Sequence, residues 1–136
     1  MKTTDKTYFV ISACLGKSPK VDAVSTDELE QILIDRGEVF GKVEGMWEGQ
    51  VEESFLVESR AGGTGRDLTK AVLLELASVF GQTCIAEFDT NNSMLFLHYT
   101  GTGEEKLLGT FRQATSKPTG DYTKIGDEYF VVDYHH

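Results

Sequence analysis

Glu53 stands where the periodicity of its segment calls for an apolar side chain. Residues 41–59, GKVEGMWEGQVEESFLVES, read as two strands joined at 47–49, with Gly49 suited to a tight hairpin turn. Alternate side chains of a strand point to opposite faces, so Glu53 shares a face with Val51, Phe55 and Val57. An ionised carboxylate among such neighbours is costly unless a partner compensates it. Two explanations stay open: a bulge turns Glu53 outward, or the fold keeps it for a ligand. Glu52 beside it points to the opposite face, towards solvent.

The other reactive residue types have plainer explanations. Gly62-Gly63-Thr64-Gly65 precedes a helix and could cradle a phosphate, but it lacks the Gly-Lys-Ser/Thr of a P-loop and any G-x-G-x-x-G register. Asp67 would repel a phosphate there, so a flexible connector is expected. Ser12 has no G-x-S-x-G context, and none of the three histidines is placed to serve it. His98 alternates with Met94 and Phe96, as a core histidine with its hydrogen bonds satisfied would. Trp47 beside the turn either stacks on a flat ligand or covers an edge. Cys14 and Cys84 sit far apart in apolar runs and read as reduced thiols of a cytosolic protein. There is no C-x-x-C and no H-E-x-x-H, so no metal centre is expected.

The elements that must position Glu53 follow from periodicity and turn chemistry. Residues 6–13 form a first strand, followed by a loop over 14–24 containing Gly16 and Pro19. A capping box, Ser25-x-x-Glu28, opens a helix with Leu29, Ile32 and Leu33 on one face and Gly37 at its end. Strands over 39–46 and 50–59 come next, then a glycine-rich linker over 60–66. A second helix over 67–80 carries Leu68, Ala71, Val72, Leu76 and Val79, widened by Leu73 and Leu74, which predicts burial on two sides. Strands over 83–88 and 93–99 form a hairpin around 90–92, and 106–114 and 129–132 add weaker strands. The order β-α-β-β-α-β plus C-terminal strands predicts an α+β fold of ferredoxin-like type, an antiparallel sheet with two helices on one face. Phe88, Met94, Phe96 and His98 suggest a second apolar face, and hence self-association.

At 136 residues the chain reads as a single domain over 1–136. Thirteen basic against 22 acidic residues give a net charge of −9, which repels nucleic acid and anionic membrane. The apolar stretch near the start is too short for a signal peptide, and no run approaches membrane-spanning length.

Five runs, in order, carry a family resemblance: Tyr8-Phe9-Val10-Ile11-Ser12-Ala13; Phe40-Gly41-Lys42-Val43-Glu44; Gly49-x-x-x-Glu53; Val79-Phe80-Gly81-Gln82-Thr83-Cys84; and Gly109-Thr110-Phe111-x-Gln113 with a closing strand over 120–131. Together they resemble the bacteriophage S-adenosylmethionine lyases, formerly called S-adenosylmethionine hydrolases. Phe40 replaces a tyrosine of the family, and the residue before Glu53 is acidic where the family has a basic one. The resemblance implies cleavage of S-adenosylmethionine to 5′-methylthioadenosine and homoserine lactone without metal or cofactor. It also implies a homotrimer assembled like the PII proteins, with substrate between subunits, in a phage protein that starves host restriction-modification of its methyl donor in the bacterial cytoplasm.

On this reading Glu53 anchors the substrate's ammonium or ribose hydroxyls, and Ser12, Phe40 and Gln82 line the pocket. Two other classes compete: an acidic phage inhibitor of the DNA-mimic type, and a PII-like sensor that binds a small ligand without chemistry. The interleaving of the 13 basic residues with acidic ones argues against a mimic.

Overall fold

Ser18 and Pro19 begin the first helix, because a serine at the N-cap and a proline in the first turn both suit a helix start. The computed structural model describes residues 7–14, 18–47 and 50–134. Its elements are β1 (Thr7–Ile11), α1 (Pro19–Asp35), β2 (Phe40–Trp47), β3 (Gln50–Glu58), α2 (Gly65–Val79), β4 (Cys84–Asp89), β5 (Met94–Tyr99), β6 (Glu105–Ala114), β7 (Tyr122–Ile125) and β8 (Glu128–Tyr134). The Ser18 hydroxyl accepts from the Val21 amide at 3.2 Å. Helix α1 therefore starts well before Ser25, whose expected capping box lies inside the helix, and residues 19–24 of the expected loop are helical. Both helices stop ahead of glycines in the left-handed region, Gly37 (φ 72°) and Gly81 (φ 72°).

The strands form one closed antiparallel barrel in the order β1-β3-β2-β7-β8-β6-β5-β4. Four of them, β4-β1-β3-β2, carry the two helices as crossovers on the outer face. There Phe9, Ile11, Phe55, Val57 and Ile85 pack against Leu29 and Leu33 of α1 and Leu73 and Ala77 of α2. The buried stripe of α2 is narrower than its composition implied. Thr69, Leu73 and Ala77 are fully covered, whereas Leu68 and Val79 face solvent.

The inner face closes on itself. Phe88, Leu95, Phe111 and Phe130 make a second cluster, with Phe88 and Phe111 edge to face at 5.1 Å. The cover expected from a second copy thus comes from the chain's own C-terminal strands. Phe88 also points opposite to Phe96 and His98, since it pairs with Leu95. Seam closure between β6 and β8 depends on Gly109, where a Cβ would lie 2.2 Å from the Asp133 carbonyl oxygen. A cavity of about 30 Å³ lies inside beside Val10, Ser54, Ala86 and Leu95. That space suits a water molecule and is too small for a nucleoside.

Candidate active site

The β2–β3 register runs unbroken from Phe40↔Val57 to Trp47↔Gln50, so no bulge turns Glu53. Glu53 lies on the face of Phe55 and Val57, as alternation requires, but β3 has there run past the cover of the helices. Val51 is 59% exposed and the Glu53 side chain 51%. The carboxylate is therefore at a surface rim, not held inward among apolar neighbours. The turn at 48–49, with Gly49, lies outside the described residues.

That rim is a shallow hollow of about 310 Å³ lined by Lys42, Val43, Glu44, Glu53, Lys124 and Gly126. Strands β3, β2 and β7 bring Glu53, Glu44 and Lys124 into one row by register. Lys42 Nζ stands 3.3 Å from Glu53 Oε1 and 3.8 Å from Glu30 Oε2 of α1. The hydrogen bond and charge of Glu53, helped by Glu30, raise the Lys42 pKa above its ordinary value. The Tyr122 hydroxyl donates to Glu44 Oε2 at 3.0 Å. Burial first, then Glu44, pushes the Tyr122 phenol up. Lys124 Nζ rests over the Tyr129 ring, 5.7 Å from its centroid.

Behind the hollow, Ser12 and Gln82 meet at Cys14. The Ser12 hydroxyl accepts from the Cys14 amide at 3.0 Å, and Gln82 Nε2 donates to the Cys14 carbonyl at 2.8 Å. The Cys14 thiol lies 3.6 Å from the Glu53 carbonyl oxygen and 3.7 Å from the Thr26 hydroxyl. Ser12 and Gln82 thus reach Glu53 through the main chain of β3, not through its carboxylate. Phe40 stands apart from them, half-buried against the core cluster, its ring T-shaped to Phe55 at 5.6 Å between centroids. Glu44, Lys42, Lys124 and Tyr122 were not singled out as site residues from sequence. The register that pairs Trp47 with Gln50 also sets Glu44 opposite Glu53.

A second polar centre joins α2 to the barrel wall. Glu87 of β4 has a side chain only 3% exposed. Arg66 of α2 grips it in bidentate fashion, with Nε to Oε2 and Nη2 to Oε1 both at 2.6 Å. His98 Nε2 lies 2.6 Å from Glu87 Oε1, and its side chain is 2% exposed. His98 is the satisfied core histidine expected from its strand. Burial alone would push the Glu87 carboxyl up; the hydrogen bonds from His98 and Arg66 outweigh it and hold the pKa down at about 2. Glu87, His98 and Glu105 also bring ligand atoms within 4.8 Å of one another. The guanidinium on both Glu87 oxygens already supplies the positive charge that a metal ion would bring.

Because the Glu87 pKa is depressed from 4.5 to about 2, its contribution is fully present above pH 4.5. It is lost as pH falls through about 2, an effect of about 3 kcal/mol. Urea unfolding of wild type and Glu87→Gln is expected to show their stability difference shrinking as pH is lowered from 6 towards 3.

A cleft of about 520 Å³ lies beside the glycine-rich loop and is lined by Glu38, Glu58, Arg60, Gly62 and Arg66 among others. Arg60 is committed to the buried Glu38 carboxylate, as Arg66 is to Glu87. The loop itself is folded tightly, since a Cβ on Gly65 would lie within 1.8 Å of the Arg60 carbonyl oxygen. Both guanidiniums beside the loop are thus paired with buried carboxylates and not held ready for a phosphate.

No helix among the described residues is long and apolar enough to cross a membrane. A comparison with curated proteins gave no match. Residues 9–133, nearly the whole barrel with both helices, match the S-adenosylmethionine lyase family. The chain belongs to that family and is an enzyme that cleaves S-adenosylmethionine.

Proposed function

We propose that the chain converts S-adenosylmethionine to 5′-methylthioadenosine and homoserine lactone by attack of the substrate's own carboxylate on its γ-carbon. The C–O bond of the lactone forms as the C–S bond breaks, and the sulfonium leaves as a neutral thioether. The reading rests on the family match and on the absence of any need for a triad: nucleophile and electrophile belong to one molecule. The protein's work is then orientation, which supplies roughly 7–11 kcal/mol of barrier reduction in favourable cases. Opposite charges vanish together in the transition state, so surroundings less polar than water favour it.

Glu53 serves as anchor for the ammonium or ribose hydroxyls at the rim of the hollow. Ser12 and Gln82 act as supports of the β1 exit through Cys14, and Phe40 as packing beneath β3. The hollow is shallow, and a neighbouring copy laid over it would supply the missing wall. The homotrimer with substrate between subunits is proposed from the family resemblance, and the hollow leaves room for it. The β4-β1-β3-β2 order with both helices on one side supports a ferredoxin-like core on which the remaining strands are built. In a phage-infected bacterial cytoplasm the reaction would strip restriction-modification enzymes of their methyl donor. Incubation with S-adenosylmethionine followed by chromatography is expected to yield methylthioadenosine and lactone in equal amounts. Bound but intact substrate would instead make the protein a sensor and overturn the proposal.

A further inference from the structure

The hollow beside Glu53 holds two carboxylates with different partners. Glu53 faces a cation, Lys42, at 3.3 Å, whereas Glu44 is hydrogen-bonded by the neutral Tyr122 hydroxyl at 3.0 Å. The two glutamates are direct cross-strand neighbours, an arrangement that like charges disfavour. Lys42 offsets one of them. The other lies across from Lys124, a lysine whose ammonium rests over the Tyr129 ring, and it borders the open hollow.

We propose that Glu44 binds the α-ammonium of S-adenosylmethionine and that Tyr122 is the positioning residue that aims its carboxylate. This rests on the lyase reading above. It divides the substrate between the two glutamates: Glu53, already neutralised by Lys42, takes the uncharged ribose diol, and Glu44 takes the cation. Lys42 has Glu30 at 3.8 Å as an alternative partner, so Glu53 can turn towards the ribose without stranding the lysine. The sulfonium is the wrong cation for Glu44. Its charge disappears in the reaction, and a carboxylate beside it would stabilise the ground state more than the transition state. The ammonium keeps its charge from substrate to lactone, so gripping it strengthens binding without opposing the chemistry. The burial of Tyr122 and its edge-to-face contact with Tyr129 at 5.1 Å hold the phenol in place.

The test uses S-adenosylmethionine and its deamino analogue, in which hydrogen replaces the amino group. Glu44→Gln is expected to raise KM for S-adenosylmethionine about 30-fold, with kcat changed less than about 3-fold. The same variant should shift the inhibition constant of the deamino analogue by less than about 3-fold, since that molecule offers Glu44 no cation. Tyr122→Phe should show the same pattern at about 5-fold, because the carboxylate stays but its aim is loosened. Replacing one of two facing carboxylates relieves repulsion, so a Glu44→Gln chain that melts no lower than wild type is the expected control. Equal shifts for both molecules, or no shift for either, overturn the assignment. A wild-type enzyme that cleaves the substrate while Glu44→Gln matches it in KM overturns this inference alone; a wild type with no cleavage overturns the lyase reading with it.

Discussion

Glu53→Gln is expected to fold as the wild type does and to lose most of its turnover, with kcat/KM for S-adenosylmethionine down by about 100-fold. The fold should survive because the side chain is half exposed and its Lys42 partner can retain Glu30. An exposed ion pair of this kind contributes little to stability. The turnover should not survive, because an amide grips ribose hydroxyls more weakly than a carboxylate and leaves the leaving sulfur poorly aimed. Circular dichroism and a thermal midpoint check the first half, and initial rates check the second. A variant with wild-type rates would remove Glu53 from the site.

Arg66→Ala is expected to produce the largest loss of stability of any single change at the polar centres. It strips the bidentate partner from a carboxylate that is 3% exposed and leaves its charge with His98 alone. Breaking a fully buried pair costs about 3–5 kcal/mol, and the partial exposure of the guanidinium puts this one at about the lower end. Removing both charges, as Arg66→Met with Glu87→Leu, should recover most of that loss, since apolar residues of similar volume can replace such a pair. Denaturant midpoints of the single and double variants measure both. A mild effect of Arg66→Ala would show that water reaches Glu87 and that the clamp does not hold α2 to the wall.

Local chemistry was legible in the sequence wherever neighbours along the chain decide it. The β2–β3 hairpin, the glycine stops at Gly37 and Gly81, and the 90–92 turn are contacts between near residues. The start of α1 was also written locally, in Ser18-Pro19, but Ser25-x-x-Glu28 offers the same signal further on and conceals it. Barrel closure was not legible. It depends on β2 meeting β7 and β6 meeting β8, pairings between distant segments that alternation alone does not specify. For the same reason an inner face that closes on its own phenylalanines looked like a face awaiting a second copy.

The site was half legible. Alternation correctly put Glu53 on the face of Phe55, and its oddity marked it. Its exposure depends on where α1 and α2 end above the sheet, which the strand sequence does not contain. Phe40 illustrates the converse. A family motif brought it forward as a site residue, and its half-buried ring packs against Phe55 at the edge of the core. Glu87 carries the same surprise as Glu53, a carboxylate in an apolar strand, with the opposite resolution: it is buried and compensated by Arg66 and His98.

The most direct test of the central claim is to run the reaction in water enriched in heavy oxygen and analyse the four-carbon product by mass spectrometry at early times. Attack by the substrate's own carboxylate predicts homoserine lactone carrying none of the solvent's oxygen. Homoserine labelled in its side-chain hydroxyl would mean that water attacks the γ-carbon, and would contradict the account.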